Sequence, residues 1–533
     1  MANKSIFAST RGAQIPRTDT RNHEGARAYA MPAKHRLAQL AVTGTLNRTF
    51  YADAQHQLDG LLHAARNVEP EFVAKAAIYA RQRGHMKDTP ALLLAWLSCL
   101  QTPHFSLAFD RVVDNGRMLR TFVQIMRSGA TGRKSLGTRP KRLIRAWLEA
   151  ASDVEIMRAA VGQDPSLADV IKMVHPKPAN AEREAFYAWL IGKLPEANVH
   201  RERPALADVA ALPEIVAAFE AFKRDPATAP MPDLPFQMLT ALPLGKEQWA
   251  AIGRKAGWQM LRMNLATFAR HGAFEVNGFA GHVAKRLRDR AAIEKARVLP
   301  YQLMTAYTMA AKTANVPAQV VDALQDAMEI AVANVPEVPG RVVICPDVSG
   351  SMSSPVTGHR KGATTAVRCI DVAGLMAAAL LRANREARVL PFEQRVVSLR
   401  LNPRDSVMTN AGMLARIGGG GTNCSAPIRQ LVEEKAKVDL VVIVSDNESW
   451  VDANPKGRGT ALMEAWTALK AKNPKARLVG IDIQPYGTLQ AVDREDILNV
   501  GGFSDAVFEV VAAFAKGKLG PDYWAGEIEK IVL

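Results

Sequence analysis

Cysteine is scarce in this 533-residue chain, and its spacing excludes the usual cysteine-based sites. There are four cysteines and no CxxC pair, which would indicate a zinc site or a redox dithiol. Apolar runs of the ~18 or more residues needed to span a bilayer are also absent from the sequence. The N-terminus is polar and basic and lacks the apolar core of a secretory signal. These absences predict a cytoplasmic protein with reduced thiols and no membrane partner.

Signatures of common enzymes are missing as well. The sequence has no Walker P-loop, no GxSxG nucleophile elbow and no HExxH helix. It also lacks an RNP1-type motif and a zinc knuckle, which mark two common RNA-recognition modules. We therefore predict a binding protein that is not an enzyme.

Acidic residues are outnumbered, and the imbalance is uneven along the chain. There are 68 lysines and arginines against 52 acids, which gives a formal net charge of +16. Residues 340–533 contain 24 of the basic and 21 of the acidic side chains, so residues 1–339 contain 44 and 31. Such an excess attracts polyanions, among them RNA, DNA and anionic membranes, although it also serves solubility alone.

The sequence pattern of the N-terminal two-thirds of the chain predicts helices. Residues 1–50 are rich in Arg, Thr, Asn and Gly and predict an irregular arm, after which helical patterns continue to about residue 330. Helices are expected, among other places, at residues 139–151, 153–162, 182–194, 207–223, 245–256, 258–271, 301–312 and 318–333. Many short helices in series favour stacked helical pairs, as in an α-solenoid, with an irregular helical domain as the alternative.

The pattern changes after the segment PEVPG at residues 336–340. Apolar, β-branched segments of strand length occur in RVVICP, EARVLPFE, VDLVVIVSD and ARLVGIDIQ, and helical patterns lie between them. Asp371 is the candidate cap of the first of these helices. Such alternation predicts an α/β, doubly wound parallel sheet, which binds its ligands beyond the carboxyl ends of the strands.

Three polar loops follow strands of this predicted sheet. The first contains Asp347, Ser349 and Ser351, the second places Thr422 after four glycines, and the third contains Asp446. Two carboxylates and three hydroxyls are hard oxygen donors, which suit Mg²⁺ with its preference for octahedral oxygen coordination. Each loop alone is an ordinary turn pattern, but three of them at strand ends predict a site for one divalent cation.

Three basic stretches are candidates for contact with a polyanion. Their residues are Arg133, Lys134, Arg139, Lys141, Arg142 and Arg145 in the first, Lys172, His175 and Lys177 in the second, and Lys285, Arg286 and Arg288 in the third. A helix that begins near Pro140 would place Lys141 and Arg145 on one side. Leu143 and Trp147 have the same spacing and would face the core. A basic helix face is more often exposed to solvent without binding a polyanion. The first stretch is the stronger candidate because its basic residues are the most densely spaced.

The motifs of both parts resemble those of one known family. The set DxSxS…T…D is similar to the metal-ion-dependent adhesion site of von Willebrand factor A domains. DVSGSM, GGGTNCSAP, VSDNES and GGFSDAVFEVV resemble, more narrowly, the Ro ribonucleoprotein family. In the N-terminal part, LAQLAVTGTLNRTFYA, RPKRLIRAWL, DVIKMVHPKP and RVLPYQLMTAY resemble segments of the TROVE module of that family. The resemblance extends from about residue 20 to the end.

The resemblance implies a TROVE-like, RNA-binding domain over residues 1–337 and a von Willebrand factor A-like domain over residues 338–533. The first would be a ring of HEAT-like helical repeats. Small noncoding Y-like RNAs would bind its basic outer surface, and 3′ ends of misfolded RNA would enter its central hole. An exoribonuclease reached through the RNA would place the protein in RNA quality control, with no DNA partner. The polar stretch MSSPVTGHRKGATT after Ser351 is unusual for the family and could alter access to the cation.

A second hypothesis is that the protein is a metal-dependent adhesion or chaperone subunit. In this interpretation the helical part is only a scaffold, and the cation site binds a carboxylate of a partner protein. Because RNA binding rests on phosphate contacts, the two hypotheses differ in the salt dependence that they predict.

Overall fold

The structure is a computed structural model that describes residues 15–44, 46–192, 212–296, 300–332, 335–359, 367–452, 457–502, 505–520 and 522–533. Its first helices are α1 Ala33–Thr43, α2 Ala54–Arg66, α3 Pro70–Gln82, α4 Asp88–Ser98, α5 His104–Val112, α6 Gly116–Ser128, α7 Thr138–Ala150, α8 Asp153–Ala159, α9 Leu167–Val174 and α10 Ala181–Leu190. Then follow α11 Glu214–Arg224, α12 Phe236–Leu239, α13 Lys246–Lys255, α14 Trp258–Met263, α15 Leu265–Arg270, α16 Phe279–Leu287, α17 Arg290–Ala296, α18 Pro300–Lys312 and α19 Ala318–Val332. The last helices are α20 Cys369–Ala383, α21 Val407–Ala415, α22 Ala426–Glu433, α23 Ala461–Lys472, α24 Asp505–Ala515 and α25 Tyr523–Glu529. The strands are β1 Thr20–Arg21, β2 Arg27–Ala30, β3 Val342–Pro346, β4 Arg388–Val389, β5 Leu440–Ser445, β6 Arg477–Asp482, β7 Thr488–Leu489 and β8 Ile497–Gly501.

The helical region is the predicted succession of short helices, each packed on its neighbours. In α6 the side chain of Asn115 caps the first turn, and Gly129 follows the last turn with a φ of 84°. The buried face of α6 places Phe122 against Phe105 and Phe109 of α5, with ring centroids about 6 Å apart. Along the chain, α3 packs on α4 and α5, and α4 packs on α6. Local capping and a shared apolar face therefore account for this region.

Several expected helix boundaries differ in the structure. The pattern at residues 258–271 forms two helices, α14 and α15, because the backbone of Asn264 leaves the helical conformation. Asp371 is not the N-cap residue of α20, because the helix begins two residues earlier, but its side chain takes part in a capping box. It lies in the first turn and accepts a 2.9 Å hydrogen bond from the amide of Arg368, the residue before the helix. Residues 193–194, 207–211 and 333 of the expected helices lie outside the described residues.

The C-terminal part contains the predicted parallel sheet, in the order β4-β3-β5-β6-β8. Every residue of β3 and β5 is buried, which explains their continuous apolar sequences. Alternate residues such as Val343 and Ile443 share a core cluster with Trp466 of α23, and α20 also packs on β3 and β5. The fold is therefore a helical N-terminal region followed by an α/β domain.

Residues 1–50 are not an irregular arm where the structure describes them. Strands β1 and β2 form an antiparallel pair, and β2 continues onto β7, with Tyr29 opposite Leu489. Helix α1 follows and packs on β8 and α25. The prediction was wrong because strands of two and four residues carry no periodic signal, and their pairing with distant residues is a tertiary effect. Residues 1–14 lie outside the described residues.

Packing divides the described residues into two compact units. The first contains the residues up to Ala64 together with Gly253–Lys530, and the second contains Ala65–Ile252 with Ile531–Leu533. This division follows packing density, so the sequence-based boundary between residues 337 and 338 stays a prediction. Within the described ranges, no helix is both long and apolar enough to cross a membrane.

Candidate cation site and basic cavity

The three polar loops meet at the carboxyl ends of β3 and β5. Asp347 follows β3 directly, and Asp446 follows β5, which is paired with β3 along its length. The glycine-rich loop reaches the same place because Ser349 forms a β-bridge with Gly419. A Cβ atom on the neighbouring Gly350 would lie 2.7 Å from the Gly419 carbonyl oxygen, so only glycine allows this approach.

All five predicted cation ligands are buried and close together. The Oγ of Ser349 lies 3.3 Å from the Oγ of Ser351 and accepts a 2.9 Å hydrogen bond from the Oγ1 of Thr422. The Oγ of Ser445, the residue before Asp446, donates to the Oδ2 of Asp347 at 2.6 Å. The amide of Ser349 donates to the Oδ1 of Asp347 at 2.8 Å. The structure therefore brings together the oxygen atoms that the sequence assigned to one site.

Burial makes negative charge costly at this site. It raises the pKa of Asp347 to about 7, and the nearby carboxylate of Asp446 contributes to the shift. The pKa of Asp446 is raised as well, again by burial first. A bound cation stabilises the anionic form of buried carboxylates of this kind.

The donor set fits a small divalent cation. In the part of the chain that the structure describes, no group of three or more His, Cys, Asp or Glu side chains is placed to hold a metal. The neutral oxygen atoms beside the two carboxylates are the hydroxyls of Ser349, Ser351 and Thr422. That combination suits Mg²⁺, which accepts neutral oxygen ligands and water. The residues Asp347, Ser349, Ser351, Thr422 and Asp446 would hold the ion.

Two further buried carboxylates border the site and were missed from the sequence. Glu448 follows Asp446 by two residues, and burial followed by the charge of Asp446 raises its pKa to about 8. Asp482 ends β6, and burial raises its pKa to about 7. Both were visible as carboxylates at the ends of predicted strands, in VSDNES and GIDIQ. The sequence alone did not show that the fold places both residues near Asp446.

A basic cavity lies on the helical unit, between α6, α7 and α9. Its volume is about 720 Å³. The residues that line it are Arg127, Lys134, Ser135, Leu136, Gly137, Thr138, Lys141, Arg142, Arg145 and Met173. Five of these described lining residues are lysine or arginine, and none is acidic. The first turn of α7 also lines the cavity, so its amide groups add to the positive potential.

The polar face of α7 agrees with the sequence prediction, but its core face does not. Lys141, Arg142 and Arg145 line the cavity together. The buried residues are Ile144 and Leu148, with Pro140 at the start, whereas Leu143 and Trp147 are only half-buried. The sequence placed the core face one residue too early, because two apolar pairs with the same spacing lie side by side in this helix.

Two arginines of the first basic stretch form hydrogen bonds within the helical region and do not line the cavity. Arg139 donates to the carbonyl oxygens of Thr102 at 2.8 Å and Ser98 at 3.3 Å, at the end of α4. Arg133 donates to the Oγ of Ser98 at 3.1 Å and to the Leu136 carbonyl at 3.2 Å. The guanidinium group of Arg139 thus binds carbonyl oxygens at and just beyond the end of α4, which have no partner within the helix.

The second basic stretch lies beside the cavity. Helix α9 packs on α7, and its Met173 lines the cavity. Lys172, His175 and Lys177 are exposed at the end of the same helix. His175 has a φ of 51°, a left-handed conformation that ends α9. Arg127 of α6 was missed from the sequence because it stands alone there, and only packing places it beside the other four cations.

The third basic stretch differs from the first two. Lys285, Arg286 and Arg288 lie in the other compact unit. Arg288 is 2.6 Å from a carboxylate oxygen of Asp326, and Arg286 is 3.8 Å from one of Asp289. These neighbouring acids offset part of the positive charge that the sequence shows.

Comparisons with known proteins agree with the fold and the motifs. The family model described as the Ro60 vWA domain matches residues 341–515. RNA-binding protein RO60 of Deinococcus radiodurans is 27% identical over 536 residues, which cover 95% of this chain and 97% of that protein. RNA-binding protein RO60 of Caenorhabditis elegans is 24% identical over 265 residues, 48% of this chain and 40% of that protein.

The fold has a solved counterpart. The crystal structure of the Deinococcus radiodurans RO (RSR) protein matches with a TM-score of 0.59 at 23% identity, and the match covers 92% of this chain and 100% of that one. Residues 341–515 thus match the family model of the Ro60 vWA domain, on a sheet of the predicted type. The resemblance to the Ro ribonucleoprotein family is confirmed along nearly the whole chain.

Proposed function

We propose that this protein binds RNA through its helical part and has no enzymatic activity of its own. The observation that carries the proposal is the basic cavity, in which five cationic side chains and a helix N-terminus face one space without an acid among the described lining residues. Phosphate groups are the ligands that such an arrangement favours. The relatives named RNA-binding protein RO60 support the same function.

The chemistry of the cavity favours a polyanion over a single small anion. Arg127, Arg142 and Arg145 provide guanidinium groups that bind phosphate oxygens in pairs, while Lys134 and Lys141 act as point charges. Lys172 near the end of α9 and Lys177 just beyond it extend the positive surface, with the exposed His175 between them. A backbone with regularly spaced phosphates contacts such an extended surface at several points, and each contact releases counterions.

The finer part of the proposal follows the family resemblance. The RNA on the basic surface is a small noncoding, Y-like RNA, and the 3′ ends of misfolded structured RNAs enter a central hole of the helical ring. The protein then acts in RNA quality control as a ribonucleoprotein, with an exoribonuclease as a partner reached through the RNA. Sequencing the RNA that copurifies with the protein tests this: a heterogeneous tRNA and rRNA background without an enriched small structured RNA contradicts it.

We further propose that the sheet domain binds Mg²⁺ at the site of Asp347, Ser349, Ser351, Thr422 and Asp446. Bound there, the ion would supply a charged centre that attracts an oxygen ligand, such as a carboxylate of a partner protein. The chain's own residues position that centre: β3 and β5 fix the two carboxylates, and the glycine-rich loop holds Thr422 against Ser349. No RNA contact is assigned to this site.

A salt titration of RNA affinity separates RNA binding from the alternative, in which the protein is an adhesion or chaperone subunit with a helical scaffold. For a single-stranded RNA we expect the logarithm of the association constant to fall with the logarithm of salt concentration, at about −0.7 per phosphate contacted. Contact with four phosphates would give a slope of roughly −3. A slope near zero favours the adhesion function.

Incubation of labelled RNA with pure protein and Mg²⁺ tests whether the protein has nuclease activity. Cleavage that is lost in Asp347→Ala would show that the protein is an enzyme.

A further inference from the structure

Asp482 is a buried carboxylate whose two oxygen atoms have different surroundings. It is the last residue of β6 and is fully buried. Its Oδ2 accepts two hydrogen bonds of 3.1 Å, one from the side-chain amide of Asn447 and one from that of Gln39 in α1. Its Oδ1 is buried too, but has no hydrogen-bond partner among the described residues. A carboxylate oxygen that has lost water and gained no donor is costly, so this atom is a candidate ligand for a cation.

Gln39 contributes a second oxygen atom of the same kind. Because a carboxylate only accepts hydrogen bonds, Gln39 directs its Nε2 at Asp482, and this fixes the orientation of its amide group. The side chain of Gln39 is 6% exposed, and its Oε1 is buried without a hydrogen-bond partner in the described part of the chain. A Cβ atom on Gly501, which is paired with Asp482, would collide with the Cγ of Gln39, so glycine allows Gln39 to reach β6. Two acceptor oxygens without donors thus belong to one hydrogen-bonded pair.

The negative charge around this pair exceeds what one divalent ion compensates. Four carboxylates are buried at or just beyond the strand ends, those of Asp347, Asp446, Glu448 and Asp482. The described hydrogen-bond donors to Glu448 are neutral, namely the backbone amide of His23 at 2.8 Å and the hydroxyl of Thr488 at 3.3 Å. The described donors to Asp482 are neutral amides. An ion at the proposed Mg²⁺ site compensates two of the four charges, and those of Glu448 and Asp482 remain.

We propose that Asp482 and Gln39 bind a second cation through the Oδ1 and Oε1 atoms, and that this cation is Ca²⁺. Ca²⁺ accepts carboxylate, side-chain amide and water oxygens in a flexible geometry, whereas Mg²⁺ demands a near-ideal octahedron. A water molecule would satisfy both oxygen atoms but would leave the charge uncompensated. The inference goes beyond the proposed Mg²⁺ site, because it uses that site only in the count of charges and shares none of its five ligands.

A cation at this place would join α1 to the sheet. Gln39 and Asp482 are 443 positions apart in the sequence, and α1 also packs on β8. Binding of the ion and packing of α1 are then linked, because the ion holds the two side chains together. The linkage is reciprocal: the factor by which packed α1 strengthens ion binding is the factor by which the ion stabilises the packed helix.

Equilibrium dialysis with ⁴⁵Ca²⁺ in excess Mg²⁺ tests the site in the full-length protein after treatment with a chelator. We expect about one Ca²⁺ per chain in the native protein and in Asp347→Ala, which lacks a ligand of the Mg²⁺ site. Asp482→Asn should bind none, because the charge at the site is lost. Asp439→Asn is the matched control, since this carboxylate precedes β5 at the opposite end of the sheet and lies 2.9 Å from Arg341.

Thermal unfolding shows whether the variants fold. Asp482→Asn introduces an amide that can donate to the Oε1 of Gln39, so we expect its melting temperature in EDTA to equal or exceed that of the native protein. Ca²⁺ should raise the melting temperature of the native protein and leave that of Asp482→Asn unchanged. Gln39→Met removes the amide oxygen at similar length, and it should raise the Kd for Ca²⁺ about tenfold.

Two results would overturn the calcium site. If the native protein retains no Ca²⁺, a proton or a water molecule serves the two buried oxygens. If Asp482→Asn retains Ca²⁺, the ion binds elsewhere, and its loss from Asp347→Ala would then assign it to the Mg²⁺ site. A native protein that binds Ca²⁺ as expected but gains no stability from Mg²⁺ contradicts the Mg²⁺ site alone.

Discussion

The basic cavity and the cation site each collect charge of one sign, but in opposite environments. The cavity gathers five cations in an open space of about 720 Å³ on a helical surface. The cation site gathers carboxylates that are fully buried at the ends of parallel strands. Solvent screens the charges of the cavity, so that like charges coexist until a polyanion arrives. Burial instead raises the pKa values of the carboxylates, so their charge depends on protons or a cation.

This contrast predicts that ligand binding at the two sites depends on different solution conditions. Because of screening, we expect binding at the cavity to depend on salt. Because of desolvation, we expect the proposed cation site to respond to pH and to divalent ions. If the RNA affinity of this protein depended on Mg²⁺ and pH but not on salt, this contrast between the two sites would be wrong.

The largest effect is expected from reversing charge in the cavity. Lys141→Glu with Arg142→Glu should weaken RNA binding about 100-fold or more, because charge-assisted hydrogen bonds are worth roughly 1.5–3 kcal/mol each. The matched control is Lys223→Glu with Arg224→Glu, an adjacent Lys–Arg pair at the end of α11 in the same unit and exposed. Filter binding with one structured RNA measures both pairs. Equal losses in the two pairs would mean that net charge, and not the cavity, binds RNA.

Removal of a cation ligand is expected to act on stability and not on RNA. At a Mg²⁺ concentration of about 100 times its Kd, binding should stabilise the domain by about 2.7 kcal/mol. Asp347→Ala should abolish this increment, because the ion loses one of two carboxylates. Thermal unfolding with Mg²⁺ and with EDTA measures it, and Asp371→Ala, in the first turn of α20, is the control for loss of a carboxylate elsewhere in the domain. An Mg²⁺-independent melting temperature in the wild-type protein would contradict the site.

The pH dependence should have an unusual sign. The folded-state pKa values of Asp347 and Asp482 are raised to about 7 and that of Glu448 to about 8, so the folded state binds more protons than the unfolded one. The stability that these groups contribute is present below their unfolded pKa values and is lost as pH rises toward 8.

Without metal, the melting temperature should therefore fall between about pH 5 and pH 8, and Mg²⁺ should restore it most at the higher pH. Differential scanning calorimetry in EDTA and in Mg²⁺ measures this. A melting temperature in EDTA that rises over the same interval would show that the buried carboxylates are ionised without a cation.

The smallest effect is expected at the third basic stretch. Arg288→Gln should change RNA affinity by no more than about twofold, because the guanidinium group is already near Asp326 and exposed ion pairs contribute little. Arg142→Gln in the cavity should cost more under the same conditions. A larger loss from Arg288→Gln would extend the RNA surface to the other compact unit.

Prediction from sequence succeeded where the signal was local. Strands β3, β5 and β6 could be predicted from their continuous Val and Ile residues. The meeting of the three polar loops could be predicted from their place at strand ends, whereas the cation that they would bind stays a prediction. Prediction failed where residues depend on distant partners. β1 and β2 are too short for periodicity, and Leu143 competed with Ile144 for the core face of α7.

The amino-acid sequence alone determined the class of each part, because helical periodicity, buried strands and polar strand ends are encoded within short windows. It also determined that positive charge is concentrated before residue 340. Only the tertiary structure decided which charges act together. Arg127 joins Lys141 in one cavity, and Arg139 donates to the carbonyl oxygens of Ser98 and Thr102. Asn22 donates to the carbonyl oxygen of Ser449 across 427 positions of sequence. Such pairings depend on the packing of distant segments, which no local pattern records.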